Sequence, residues 1–225
     1  MNRSGSRFWV LRCWVVVLGS GFMCPGATAQ THRDDRILSC DGPLGPTMTP
    51  DTLADAFGKA NVTLENIAVG EGFFEKGTVL FSESPEDRLL ILWRNEQVQQ
   101  GPRMAQTGSR TSRWRTSSGV LVGLDLRALE RINRRPFRLS GFRWDNGGGV
   151  LSWSGGGLDR QLHQSCELGA TLAPTQDAVG AYAPGAERLV RQVSGERLFS
   201  SGHPAMQALN PMVTVLYQVY VGQKR

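Results

Sequence analysis

Residues 213–221, Val-Thr-Val-Leu-Tyr-Gln-Val-Tyr-Val, carry the clearest structural signal in this sequence. Valine or tyrosine stands at every odd position, and a second series of residues fills the even positions between them. An alternation of period two is that of a β-strand, whose successive side chains point to opposite faces of a sheet. The stretch therefore predicts a strand that lies within a sheet.

Other strands are predicted upstream of this stretch. Residues 78–81 and 88–93 are β-branched or apolar, and the turn-rich residues 82–87 between them predict a hairpin. Residues 95–118 contain few aliphatic side chains, so they are either a connection or an exposed pair of strands. We also expect strands over 119–122, 170–172 and 189–193.

Two short helices precede strand-like runs. Thr49 can cap a helix that has Pro50 at its first position and Gly58 as its stop. Asp125 can cap a second helix, and Asn133 stands where that helix is expected to end. The pattern predicts α+β structure, with antiparallel sheets and short helices on one face.

A second hairpin is predicted from residues 137–144 and 150–153, joined across the glycine-rich turn 145–149. With it, the order of helix and then hairpin occurs twice, over about 44–94 and about 119–158. This suggests two degenerate repeats, although any α+β domain can give such an overlay by chance. C-terminal strands would complete a single domain over 38–225.

The first 29 residues have the features of an export signal. Arginines lie near the start, residues 14–23 are mostly apolar, and Ala27-Thr28-Ala29 offers the small residues that signal peptidase accepts. The apolar run is shorter than the roughly 20 residues that a membrane-spanning helix needs. Lipid modification of Cys24 is the alternative to cleavage after Ala29. Residues 30–37 are polar and predict a flexible leader.

Removal of residues 1–29 would take away three arginines and no acid, so the formal net charge falls from +5 to +2. The basic balance of the whole chain therefore does not indicate nucleic-acid binding. Only three of the 25 basic residues are lysines, a bias typical of GC-rich bacterial genomes. We expect a periplasmic or secreted protein with no transmembrane segment in the mature chain.

Two cysteines would remain after cleavage, Cys40 and Cys166. In an oxidising compartment such a pair predicts one disulfide, closing a loop of about 125 residues. The alternative is a metal site at Cys166, since His163 lies three residues before it. Zinc needs three or four ligands, and no such cluster forms by spacing, so we predict neither metal nor cofactor.

Arginine is concentrated in the middle of the chain. Ten arginines lie between Arg103 and Arg143, whereas residues 71–87 hold five acids and one lysine. Arg113-Trp114-Arg115 places an aromatic ring between two guanidinium groups, which suits stacking on a sugar or a flat anion. This segment is a candidate binding site for an anionic envelope component or an acidic protein. Alternatively, the arginines pair with the acids of 71–87.

The second hairpin supplies the other candidate site residues, which are Trp144, Asp145 and Trp153. Asp145 is the best candidate for a carboxylate that acts on glycan, although a side-chain bond that holds its own turn is the favoured explanation of this residue. The glycine runs predict tight turns rather than phosphate loops, because neither is followed by Lys-Ser/Thr. Ser201 and His203 lie too close in sequence to predict serine-base geometry.

Two resemblances follow from these motifs. Residues 141–145 (GFRWD), 147–149 (GGG) and 152–156 (SWSGG) resemble the signature of an uncharacterised group of secreted bacterial proteins. That resemblance implies no activity. The capped helix at Thr49 and the strands after it resemble, more weakly, the helix-and-hairpin units of outer-membrane assembly lipoproteins and the β-lactamase inhibitor protein. Neither resemblance supplies a catalytic residue.

Two classes of function follow from the sequence. The first is a secreted or periplasmic non-catalytic module that binds an envelope component or a partner protein. The second is a cell-envelope hydrolase that acts on glycan through Asp145 and a second acid.

Overall fold

The computed structural model describes residues 36–159, 165–176 and 180–221. The predicted signal peptide and Cys24 lie outside these residues, as does His163. The described chain is α+β, with one six-stranded sheet, one three-stranded sheet and four short α-helices. This confirms the predicted fold class.

The large sheet is antiparallel and has the strand order β1-β2-β3-β4-β9-β7, and the small sheet has the order β6-β5-β8. The strands are β1 Val62–Gly70, β2 Phe73–Leu80, β3 Leu89–Asn95, β4 Gln100–Thr107, β5 Arg138–Ser140, β6 Val150–Ser152, β7 Cys166–Ala173, β8 Leu198–Ser200 and β9 Met212–Tyr220. The strand predicted from residues 213–221 is thus β9. It lies between β4 and β7.

The helices cover one face of the large sheet. They are α1 Pro50–Phe57, α2 Leu126–Asn133, α3 Ala186–Gln192 and α4 Pro204–Leu209. Buried residues of all four belong to the main core together with Leu80 and Ile91 of the sheet. The opposite face holds only a small cluster around Ile67, Val79 and Leu92. Helices on one face were predicted, and the distribution of the core confirms this.

Local capping follows the sequence signals. The Thr49 side chain accepts a hydrogen bond from the Thr52 N–H and completes a capping box at the start of α1. Gly58 ends this helix with φ at +89°. Asp125 caps α2 by accepting from the Ala128 N–H at 2.7 Å. Both predicted helix starts are confirmed.

The two predicted hairpins are present, as β2 with β3 and β5 with β6. The small sheet approaches the large one where Leu172 N–H donates to the Gly148 carbonyl. A side chain at position 148 would collide with the backbone of Leu172. Glycine at this position therefore lets the turn after β5 pack against β7.

The N-terminal segment is held against the sheets by a disulfide between Cys40 and Cys166, whose Cα atoms lie 6.0 Å apart. This confirms the predicted pairing. Arg36 and Ile37, the last two residues of the predicted leader, are anchored by backbone bonding to Arg115. No helix in the described ranges is long and apolar enough to cross a membrane.

Two strand predictions are wrong, and residues 95–118 match neither of their two predicted alternatives in full. Residues 189–193 lie mostly in α3, and the two side chains that this run buries fully are Val190 within the helix and Val193 at its C-terminal cap. Residues 119–122 form an irregular segment with a single bridge from Leu121 to Arg115. Residues 95–118 include one full strand, β4, which pairs with β3 and β9 although its sequence is largely polar.

Candidate functional site

Arg113, the first residue of the predicted Arg-Trp-Arg site, is bound to a buried carboxylate. Its Nε donates to Asp87 Oδ1 at 2.7 Å, and a second guanidinium nitrogen donates to Oδ2. Arg36 contributes another bond to the same carboxylate, from Nε to Oδ1 at 3.1 Å. The Asp87 side chain is only 7% exposed. These three residues form what we call the Asp87 cluster.

Burial by itself would raise the pKa of Asp87, but hydrogen bonds from Arg113 and Arg36 outweigh it and lower that pKa. The carboxylate therefore stays ionised at neutral pH. Both guanidinium groups are held on one buried carboxylate, so the three side chains form a structural ion cluster in which hydrogen bonds to Asp87 fix the two arginines.

Trp114 belongs to the core. Its side chain is 1% exposed, and its indole N–H donates to the Asp87 carbonyl at 2.6 Å. The ring packs edge-on against Phe57. Stacking on an external sugar, the role suggested by the sequence, needs a ring face that this packing does not leave open.

Arg115 is half-buried and continues the same structural segment. Its backbone accepts from the Leu38 N–H, donates to the Arg36 carbonyl and forms a bridge to Leu121. The Arg-Trp-Arg segment therefore connects the N-terminal residues to the body of the fold. The structure does not bring it together with Trp144, Asp145 or Trp153 in any of the described cavities.

The alternative prediction for the arginine-rich stretch was pairing with the acids of 71–87. Two of the ten arginines make such pairs, Arg113 with Asp87 and Arg103 with Glu75 at 2.7 Å. A third, Arg143, pairs with Glu187 outside that acidic segment. Salt bridges thus account for only part of the stretch.

A different part of the stretch lines a cavity of about 620 Å³, which we call the basic cleft. Three exposed arginines, Arg131, Arg134 and Arg135, lie along it at the end of α2. The opposite wall is the backbone of residues 155–157, and Ser118 completes the lining. The cleft therefore combines three guanidinium groups with a wall of glycine backbone.

Asn133 joins the two walls of the basic cleft. Its side-chain amide is fully buried and donates to the carbonyls of Arg135 and Trp153, at 2.8 and 2.9 Å. The side-chain carbonyl oxygen of Asn133 accepts from the Leu158 N–H at 3.1 Å. One side chain at the end of α2 therefore fixes both the arginine segment and the glycine segment.

Glycine is required where the loop meets the helix. A Cβ atom on Gly156 would collide with the Asn133 amide, and one on Gly157 would lie 2.9 Å from the Ile132 carbonyl. The Gly157 N–H donates to the backbone carbonyl of Asn133 at 2.7 Å. The glycine of the SWSGG motif at position 156 thus allows the loop backbone to pack closely against the end of α2.

The three cleft arginines have no carboxylate partner among the residues that the structure describes. Asp159 lies close to the loop, but its carboxylate accepts from the Gly155 N–H. Arg134 also occupies a left-handed backbone position, with φ at +64°, where glycine or asparagine is the usual residue. The side chain at this position carries charge into a cleft whose described lining holds no acidic residue.

The structure places the other predicted site residues in separate environments. Trp153 is buried, and its indole N–H donates to the Leu168 carbonyl at 2.8 Å. Trp144 is half-buried, and its indole N–H donates to the Gly141 carbonyl at 2.9 Å. Neither tryptophan lines the cavity that contains Asp145. The Trp144 indole thus bonds within the second hairpin, and the Trp153 indole joins that hairpin to β7.

Asp145 itself is exposed on a second cavity, of about 650 Å³. Two glutamates from the β1–β2 hairpin, Glu71 and Glu75, line the same cavity together with Phe73 and Phe74. Glu75 is held by Arg103, whereas no ion pair is found for Glu71 or Asp145 within the described residues. The structure therefore places carboxylates near Asp145 that sequence spacing did not reveal.

Ser201 and His203 make separate structural contacts. The Ser201 hydroxyl is fully buried, donates to Glu130 and accepts from the Phe137 N–H. His203 Nδ1 accepts from the Ala205 N–H at the start of α4. The described residues contain no group of three or more histidine, cysteine or acidic side chains that could hold a metal ion.

Comparison with known proteins finds no matching family model, no similar curated protein and no similar solved structure. Function is therefore inferred from the chemistry of the basic cleft and of the cavity at Asp145.

Sequence reasoning does not distinguish the cleft arginines from the other arginines of the stretch. Their signal is density, since Arg131, Arg134 and Arg135 fall within five residues at a predicted helix end. The opposite wall comes from residues 155–157, and no local pattern connects the two segments.

Proposed function

We propose that this protein is a secreted or periplasmic, non-catalytic module that binds an anionic group of a cell-envelope component in the basic cleft. The observation that carries the proposal is a set of three arginines around one cavity, none of which has a carboxylate partner among the described residues. Guanidinium groups bind phosphate and carboxylate oxygens with charge-assisted, often bidentate hydrogen bonds. Such a cavity fits a compact anionic head group.

Export remains a proposal that rests on residues 1–29. The disulfide between Cys40 and Cys166 supports it, because disulfides persist mainly in oxidising compartments. Membership of the secreted bacterial group with the Gly/Trp signature is likewise a proposal. The packing of Gly156 against Asn133 supports treating that signature as a structural one.

The test is binding of the oxidised protein to vesicles with and without an anionic phospholipid, and to a soluble sugar phosphate. We expect binding to at least one anionic probe. Replacing Arg134 and Arg135 by glutamine should weaken it roughly tenfold or more, since each cation near an anionic surface contributes about 1 kcal/mol. The salt dependence of the remaining binding should also flatten.

The matched control replaces Arg110 and Arg188 by glutamine. Both are exposed arginines that do not line the basic cleft, so the change in net charge is the same. The weakening of anion binding in this control should be less than about half of that in the Arg134, Arg135 variant, because only long-range attraction changes. Equal losses in the two double variants would show that net charge, and not the cleft, determines binding.

The cavity at Asp145 supports the second candidate, a cell-envelope hydrolase acting on glycan. It places Asp145 beside Glu71 and Glu75, and paired carboxylates are the usual groups of glycoside cleavage. The purified protein would then release soluble fragments from peptidoglycan, and Asp145→Asn would abolish that release. Absence of release by the unmodified protein would end this candidate and leave the binding proposal standing.

A further inference from the structure

The β1–β2 hairpin exposes apolar side chains that the core does not use. Phe73 and Phe74 are 67% and 66% exposed, and Leu64 is 59% exposed. Val69 lies at the same end of the hairpin and is also exposed. A concentration of exposed apolar residues in one hairpin is typical of an interaction surface, whereas single exposed residues are not.

Strand β1 is also an edge of the large sheet. It pairs with β2 from Val62 to Gly70, and no other described strand pairs with its second edge. Unpaired backbone groups along an edge strand can accept an added strand from another chain. Soluble proteins commonly protect such an edge with charge, a bulge or covering structure. A register shift between Ala68 and Gly70 affects the hairpin end of β1, and the pairing from Val62 to Ala68 is regular. Here Leu64 and Val69 are exposed along it.

The end of this hairpin is acidic as well as apolar. Glu71 and Asp145 line the cavity of about 650 Å³ beside Phe73 and Phe74. No cation of the described residues pairs with either carboxylate, and Lys76, the one lysine between 71 and 87, does not line the cavity. An anionic lipid surface would be repelled here, whereas an ammonium or guanidinium group would find carboxylates and aromatic faces together.

We propose that the β1–β2 hairpin docks a cationic, apolar strand of a partner protein. The strand pairs with the free edge of β1 and contacts Leu64 and Val69. A lysine or arginine of the partner enters the cavity between Glu71 and Asp145, over the rings of Phe73 and Phe74. This surface is separate from the basic cleft, and the two sites select ligands of opposite charge.

The test uses a fluorescent peptide of alternating lysine and valine, with a glutamate-and-valine peptide of the same length as its counterpart. We expect the basic peptide to bind the unmodified protein and the acidic peptide not to bind. Glu71→Gln combined with Asp145→Asn should weaken binding of the basic peptide about tenfold and flatten its salt dependence. Phe73→Ser combined with Phe74→Ser should weaken it without changing that salt dependence.

The control is Glu83→Gln with Glu86→Gln, which removes two acids that do not line the cavity. Binding should then stay within about twofold of the unmodified protein. Equal loss in this control, equal binding of the acidic peptide, or no binding of the basic peptide would each overturn the proposal. Concentration-dependent dimerisation that Phe73→Ser and Phe74→Ser abolish would identify a second copy of the chain as the occupant instead.

Strand addition has a separate readout. A lysine-valine peptide that is N-methylated at alternate residues loses the backbone donors of one edge. Of the two possible methylation patterns, one should bind and the other should not, because only one edge of the peptide faces β1. Equal binding of both patterns would contradict pairing with β1.

Discussion

The Asp87 cluster and the basic cleft both contain arginines, but the arginines lie in opposite environments. In the cluster, Arg36 and Arg113 surround a carboxylate that is 7% exposed. In the cleft, Arg134 and Arg135 face a cavity with no carboxylate partner among the described residues. The comparison shows that a count of arginines gives the amount of charge but not its availability, which depends on where the acids fold.

The largest effect should come from removing the disulfide, which joins the segment of the Asp87 cluster to the large sheet. Cys40 lies on the segment that carries Arg36 to Asp87, and Cys166 begins β7. In the chain-entropy model a loop of 126 residues contributes at most about 4–5 kcal/mol. Denaturant unfolding of the Cys40→Ser, Cys166→Ser variant should show most of that loss. A change below about 1 kcal/mol would contradict the model.

The next effect should come from Asp87→Asn, which leaves two guanidinium groups facing a neutral amide. We expect a loss of about 2–3 kcal/mol in the free energy of unfolding, less than for a fully buried pair because Arg113 is partly exposed. By contrast, the Arg134→Gln, Arg135→Gln variant should stay within about 0.5 kcal/mol. Similar losses in both variants would remove the distinction between the two regions.

The pH dependence of the free energy of unfolding provides a second test of Asp87. The pKa of Asp87 is lowered in the folded protein, so its contribution is complete above the ordinary aspartate value of about 4. It should be lost as the pH falls from there through the lowered pKa. The Asp87→Asn variant should therefore show a shallower acid dependence of stability than the unmodified protein.

A smaller effect tests the wall of the cleft. Gly156→Ala places a Cβ atom against the buried Asn133 amide, so the loop or the amide must shift. We expect a loss of about 1–3 kcal/mol, the usual cost of overpacking, together with weaker anion binding. Gly202→Ala is the control, because its nearest neighbour, Pro136, would lie at an ordinary contact distance of 3.6 Å. The control should change stability by less than about 0.5 kcal/mol.

The sequence predicted the elements whose signals are local. The alternation in 213–221 identified β9, and Thr49 and Asp125 identified the starts of two helices. It did not identify β4, because Gln100–Thr107 holds little apolar periodicity and owes its strand to neighbours on both sides. Residues 189–193 were wrongly predicted as a strand, because so short an apolar run fits a helix equally well.

The candidate site was less predictable than the fold, and the reason is distance along the chain. Arg113 and Asp87 are 26 residues apart, so their pairing depends on how the hairpins meet. The cleft depends on residues 155–157 reaching the end of α2, a contact that Asn133 makes across 20 residues to Trp153. The sequence shows that arginine is concentrated in one stretch. Only the fold separates the arginines that carboxylates hold from those that line the basic cleft.

The buried amide of Asn133 has a consequence for recognition. Because it bonds the arginine segment and the glycine loop at once, neither wall of the cleft must be ordered when a ligand arrives. An anion would thus bind to a preformed receptor, and little of its interaction energy would be spent on immobilising protein. Discrimination between anions would then follow from the fixed spacing of the cleft, as in a rigid host molecule, rather than from closure around the guest.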